Sequence, residues 1–362
     1  SLETVSKMLR QGRDIKIKLE VWSDELNLVL GAAGYSVVDS DSGDALILSG
    51  EIENSLEIIE QLKSEDVQAE NKVLLIALNA WGLEVTLKKL KGQFCFAWWC
   101  AGSERLIIAR DRFGIKPIYW CSENEKGAIM FASEIKTLLA SGLIARKVNR
   151  ETVIDYLRYS TVHGPLTIVE GVQTLEPGCA IEIQDETVNV FRWWDTSKEI
   201  AFKNTEPLKD TLLDAVKSSL DGDSTAIYLS GALTSVTLTA AMFQLSSHPV
   251  QTFSIACEGS KSFNETDASR ISKQFETNHT EVYVSKKSSY MKLHHAIDQM
   301  DHPSFNGFRS YFIASSAKEA GYTTRPRQAA SELRNPKYSP LVVRYIGELR
   351  AEVQEKYGVN FE

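Results

Sequence analysis

At 362 residues the chain has room for two ordinary domains, and 43 % apolar with 24 % charged residues is the balance of a globular protein. A formal net charge of −8 argues against a nucleic-acid partner, and no apolar run approaches the roughly 18 residues of a membrane helix. The expected location is the cytoplasm, with no signal peptide, although a chain opening on Ser1 and not Met is expected to be processed or trimmed.

The first half reads as strand-rich. "LNLVLGAAGYSVVD" (27–39) and "ALILSGEI" (45–52) run apolar or alternate between Gly and Asp/Ser breakers. "NSLEIIEQL" and "NKVLLIALNAWG" carry helical spacing, the second ending at Gly82. "GQFCFAWWCAGSERLIIARD" (92–111) is two apolar strands around the turn Ala101-Gly102-Ser103-Glu104. "GAIMFASEIKTLLASG" predicts a strand, a turn at Ser133-Glu134 and a short helix closed by Gly142; "LEPGCAIEI" and "VNVFRWW" predict a second hairpin. The five cysteines, Cys95, Cys100, Cys121, Cys179 and Cys257, are odd in number and lack CxxC spacing. They read as reduced thiols.

After about Asp195 strand and helix alternate. Helices are predicted over Leu208–Leu220, Ser235–Leu245, Asp267–Phe275 and 307–321, and strands over Ala226–Leu229, Val250–Cys257 and Glu281–Val284. Helices between strands imply a parallel sheet with right-handed crossovers. The tail changes again. "RPRQAASELRNPKYSP" (325–340) is polar, and the next stretch has Ser339 as N-cap, Pro340 in the first turn and Val342, Ile346, Leu349 and Val353 on one face. Such a stripe docks on its own domain or binds a protein partner.

"LIIARDRFGIKPIYW" (106–120), "FASEIKTLL" (131–139), "TIVEGVQTLEPGCAIEI" (167–183) and "DHPSFNGFRSYFIASSAKEAGY" (301–322) together resemble the asparagine synthetase family, from about residue 8 to 322. The resemblance implies an α+β, antiparallel, class II glutamine amidotransferase domain over 1–195. It implies a shortened α/β parallel-sheet ATP-pyrophosphatase domain over 196–325, with linker and amphipathic helix over 326–362. In the family the first half hydrolyses glutamine with an N-terminal cysteine. The second adenylates a carboxylate with Mg-ATP, and ammonia attacks that intermediate.

Set against those requirements, the amidotransferase half is depleted. No cysteine precedes Cys95, so the nucleophile is missing. The arginine that clamps the substrate carboxylate falls on Gly34, the oxyanion-hole asparagine falls on Ser49 beside retained Gly50 and Glu51, and the amine-binding aspartate falls on Glu70. No glutaminase activity is expected. "ARDRFGIKP" survives in full, and the expected reason is folding, through buried ion pairs that fix strand ends.

In the second half "AIYLSGALTSVTLTAA" (226–241) is a strand, turn and helix start of the kind that cradles phosphate. The family pattern Ser-Gly-Gly-x-Asp-Ser becomes Ser230-Gly231-Ala232-Leu233-Thr234-Ser235. Ala232 is expected to cost on the order of 1 kcal/mol if its φ is positive. Thr234 replaces a magnesium-binding carboxylate with a weaker, neutral ligand. A second acidic pair falls on Ser331-Glu332, its glycines fall on Arg327 and Ala329, and Pro326 disfavours the strand that leads to it. Leu229 and Ile255 lie where the family packs adenine, and Asp301 and Pro303 match a substrate-side element; the apolar pair equally suits any parallel-sheet core. His279, His294 and His295 lack metal-ligand spacing and are expected on the surface.

The expectation is a pseudoenzyme or scaffold subunit in which ATP and magnesium binding is weak or lost. The alternative is an ATP-dependent amide-forming ligase that works without glutaminase, in the manner of β-lactam synthetases or lasso-peptide cyclases.

Overall fold

The computed structural model describes residues 2–9, 19–23, 28–33, 37–64, 69–122, 129–185, 187–199, 208–220, 225–258, 267–303 and 307–322. Gly34, Pro326, Arg327, Ala329, Ser331, Glu332 and the amphipathic stripe at Val342–Val353 lie outside them. The chain divides near residue 202 into two compact units.

The first unit runs α1 (Leu2–Leu9), β1 (Leu19–Ser23), β2 (Val29–Ala33), β3 (Val37–Asp39), β4 (Ala45–Ile52), α2 (Ser55–Leu62), α3 (Glu70–Lys89), β5 (Gly92–Cys100) and β6 (Arg105–Arg110). It continues through β7 (Tyr119–Ser122), β8 (Ile129–Ala132), α4 (Ile135–Ala140), α5 (Arg150–Tyr159), β9 (Gln173–Thr174), β10 (Cys179–Gln184), β11 (Thr187–Arg192) and α6 (Thr196–Glu199). The main sheet has the order β11-β10-β6-β5-β4-β3, antiparallel throughout. β5 explains its thickness. Alternation sends Phe94, Phe96 and Trp98 to a core with Ile58, Leu74 and Leu78 of the helices, and Cys95 and Ala97 to a second core with Ile108, Ile118 and Leu175. A strand buried on both faces reads as a continuous apolar run, as "FCFAWWC" does.

Gly82 does not end its helix outright. At φ 74° and ψ 173° it breaks the helical path, and a second helical run continues to Lys89. α5 starts where the Asn149 side chain accepts from the Glu151 N–H.

The second unit runs α7 (Leu208–Ser218), β12 (Ala226–Tyr228), α8 (Leu233–Leu245), β13 (Gln251–Cys257), α9 (Asp267–Gln274), β14 (Asn278–Val284), α10 (Lys286–Asp298) and α11 (Gly307–Glu319). β12, β13 and β14 form a parallel sheet in that order. Leu229, just past β12, packs with Val236 and Ala240 of α8 and Ala268 and Ile271 of α9. On the other face Phe253 meets Tyr322, just beyond α11, edge to face at 5.6 Å. No helix among the described residues is long and apolar enough to cross a membrane.

Candidate functional site

The turn between β12 and α8 is held by its own serines. The Ser235 Oγ accepts from the Ser230 N–H at 3.2 Å and donates to the Ala232 carbonyl at 2.8 Å. With that proton committed, the Ser230 hydroxyl donates to Ser235 Oγ at 3.1 Å and accepts from the Ala232 N–H at 3.4 Å. Both hydroxyls therefore serve the shape of the turn. Gly231 supplies the bend at φ +80°, and a Cβ there would lie 2.6 Å from Asp267 Cβ, so conformation and space both demand glycine.

The strain expected at Ala232 does not exist. Its φ is −74° and ψ 151°, the ordinary extended geometry of a helix N-cap. The positive φ sits one residue earlier, on Gly231. Ala232 at the N-cap offers α8 no side-chain cap, so its first turn presents the kind of N–H groups that hold phosphate.

Leu229 is 1 % exposed within the α8–α9 core, and its N–H donates to the Phe253 carbonyl at 2.8 Å. That contact set is packing. Ile255 is half-buried on β13, and Asp301 and Pro303 are half-buried after α10. Thr234 is exposed in the first turn of α8. Among the described residues no group of three His, Cys, Asp or Glu side chains could hold a metal ion. The backbone N–H groups of the turn suit a phosphate, while the exposed Thr234 offers a neutral hydroxyl, a weaker ligand for magnesium than a carboxylate.

In the first unit Ser49 lies on β4 directly opposite Cys95 of β5. Burial pushes Cys95 up to about 11, and its Sγ–H donates to the Pro117 carbonyl at 3.6 Å. Gly50, at φ +121°, lies against β5 so closely that a Cβ would sit 1.9 Å from the Gln93 carbonyl oxygen. The sheet alone requires this glycine. Glu70 Oε2 accepts from the Ile52 N–H at 2.8 Å, tying α3 to the end of β4.

"ARDRFGIKP" is structural, though by a different bonding pattern from the one expected. Arg110, 1 % exposed, donates to the carbonyls of Lys116, Gly114 and Leu175. The Asp111 carboxylate accepts from the N–H groups of Phe113, Ile115 and Lys116, each at 3.0 Å. Both charges are met by backbone, of the turn after β6 and, for Arg110, of Leu175 beyond β9.

His294 and His295 are exposed, as the spacing suggested, but His279 is not a surface histidine. It is half-buried on β14, with ring nitrogens 2.8 Å from Thr252 Oγ1 and 3.0 Å from Ser254 Oγ. The signal was available in Thr277, His279 and Glu281, whose spacing of two places all three on one strand face.

A buried antiparallel amidotransferase-type sheet, followed by a parallel sheet whose first strand opens into a phosphate-type turn, defines a two-part class of protein. Comparisons agree. A glutamine amidotransferase domain model matches residues 28–194 and an asparagine synthase model matches residues 207–324. Asparagine synthetase [glutamine-hydrolyzing] 3 of Bacillus subtilis (strain 168) is 27 % identical over 322 residues, covering 78 % of this chain and 51 % of that protein. Asparagine synthetase [glutamine-hydrolyzing] 1 of the same organism is 26 % identical, covering 84 % and 51 %. Amidase chry2 of Gibberella zeae is 28 % identical, covering 68 % and 38 %. A solved glutamine phosphoribosylpyrophosphate amidotransferase from B. subtilis overlaps 68 % of this chain and 47 % of that one, at 14 % identity and a TM-score of 0.31.

The chain belongs to the asparagine synthetase family. It spans about half the length of the B. subtilis relatives it matches.

Proposed function

We propose that this chain keeps the asparagine synthetase architecture without turning over either half-reaction, and serves as a cytoplasmic scaffold or partner subunit. The observation that carries the reading is Thr234. At the β12–α8 turn, whose backbone suits a phosphate, the position that in the family carries a magnesium-binding carboxylate holds an exposed hydroxyl. In the first unit Ser49 supports the same reading, because a hydroxyl opposite buried Cys95 stands where the family places an amide donor for the oxyanion. Five free thiols suit a reducing compartment.

A second reading, an ATP-dependent amide-forming ligase without glutaminase, is favoured by the phosphate geometry retained at Gly231 and the uncapped start of α8. Thermal unfolding with and without Mg-ATP separates the two. The scaffold reading expects no magnesium-dependent shift at millimolar ATP. A clear magnesium-dependent rise in Tm refutes it.

A further inference from the structure

β13 and β14 carry a chain of polar contacts that the nucleotide turn does not use. Thr277 Oγ1 lies 2.8 Å from Thr252 Oγ1, which lies 2.8 Å from His279 Nδ1. His279 Nε2 lies 3.0 Å from Ser254 Oγ, and Ser254 Oγ donates to Glu281 Oε1 at 3.3 Å. The parallel register sets Thr252 opposite His279 and Ser254 opposite Glu281, so the contacts climb one face of two adjacent strands. Thr252 is fully buried and Ser254 is 3 % exposed.

The protons in this chain can be assigned by counting. A carboxylate only accepts, so the single Ser254 proton goes to Glu281. Ser254 Oγ must then accept from His279, which puts the ring proton on Nε2. A neutral ring has one proton, so Nδ1 accepts from the Thr252 hydroxyl, and Thr252 Oγ1 accepts from Thr277. Every bond runs the same way, from Thr277 to Glu281.

We propose that this chain is a pH-sensitive latch between β13 and β14, ordered while His279 is neutral and reversed on its Thr252 side when the ring takes a second proton. The proton comes from solvent to Nδ1 and nothing leaves. Nδ1 then donates, Thr252 must turn its proton toward Thr277, and an imidazolium stands beside fully buried Thr252 and nearly buried Ser254.

Few charges oppose that outcome. On β14 the charged neighbour is Glu281, and on β13 the ring meets only hydroxyls. The inward residues of α9 are Ala268, Ile271, Ser272 and Phe275, while its Asp267, Arg270 and Lys273 are exposed. α11 packs where Phe253 points, on the opposite face, with its Arg309, Lys318 and Glu319 exposed. Burial lowers His279 from 6.5, and Glu281 offsets part of that. The unfolded chain therefore binds the proton first as pH falls. The latch contributes fully above pH 6.5 and is lost progressively below it, through the lowered folded value.

Proton positions are read directly by nitrogen-detected NMR of the labelled imidazoles in the full chain. His302 also titrates low, pushed down by burial to about 4, so the readout has to be residue-specific. At pH 8 the His279 ring is expected as the Nε2–H form, shifting to a mixture of tautomers in Glu281→Gln. Amide exchange along β13 and β14, corrected for its intrinsic pH dependence, is expected to accelerate at least tenfold between pH 7.5 and pH 5. In His279→Gln, whose amide can accept from Thr252 and donate to Ser254 without titrating, exchange stays flat. An Nδ1–H tautomer in the unaltered chain, or unchanged acceleration in His279→Gln, overturns the latch. Should His279→Gln fail to fold, the tautomer assignment and exposed Glu281→Gln still decide it.

Discussion

Two motif-like stretches survive in this molecule, one in each unit, and they survive for different reasons. In the first unit Arg110 and Asp111 bond six backbone groups between them, five in the turn after β6 and one at Leu175. In the second, Ser230 and Ser235 close a ring within a turn whose helix start lacks a side-chain cap. The first stretch is full of charge, and its two buried charges, Arg110 and Asp111, are met by backbone groups. The second has almost no charge and keeps a surface suited to an anion. A retained motif therefore says little about chemistry until its polar atoms are traced to their partners.

If the comparison is right, the largest effect belongs to Arg110. Arg110→Ala removes a guanidinium and strands the carbonyls of Lys116, Gly114 and Leu175 in a buried setting. The expected loss is about 3–5 kcal/mol in denaturant unfolding of the first unit. A loss under about 1 kcal/mol would mean that the motif was kept for something other than folding. Gly231→Ala comes next, at about 2 kcal/mol in the second unit, because it combines a positive φ with the approach to Asp267. Ala232→Gly one residue on, at an exposed position of ordinary geometry, is expected within about 0.5 kcal/mol of the parent. If the two costs exchanged places, the backbone assigned to the turn would be wrong.

Much of the fold was legible in the chain because periodicity and breakers coincide. The β5–β6 hairpin follows from two apolar runs around Ala101–Glu104, and the β12-turn-α8 unit from an apolar run ended at Gly231. What was missed lacks that coincidence. α10 begins Lys-Lys-Ser-Ser and starts at a Ser285 cap that accepts from the Ser288 N–H, with no clean apolar stripe to announce it. The site was legible in its residue types and not in its geometry. Sequence placed an alanine at the turn, and only the dihedrals moved the strained position to Gly231. His279 read as a surface residue because its partners, Thr252 and Ser254, are some 25 residues away and belong to another strand.

Thr234→Asp tests the second turn itself. The side chain is exposed, and a carboxylate in the first turn of α8 is expected to raise stability by about 0.3–1 kcal/mol through the helix dipole alone. The informative quantity is the additional gain from Mg-ATP. A gain that appears only in the variant locates the defect at this one ligand. Its absence in both means that more than Thr234 separates the turn from nucleotide binding, and a gain in both sinks the scaffold reading.

The smallest effect tests the other unit, where Ser49 faces Cys95. Because burial holds the thiol near 11, only about one Cys95 in a thousand is ionised at pH 8. Alkylation of the native chain is therefore expected at half-buried Cys100 and Cys257 long before Cys95. The sign for stability follows. A folded value above the unfolded 9.0 means that the neutral thiol is favoured by the fold, so its contribution is complete below pH 9 and declines as pH rises toward 11. Peptide mapping after brief alkylation reads this directly. Rapid labelling of Cys95 would show that Ser49 borders an open pocket and not a packed strand pair, and would return the first unit to the list of working sites.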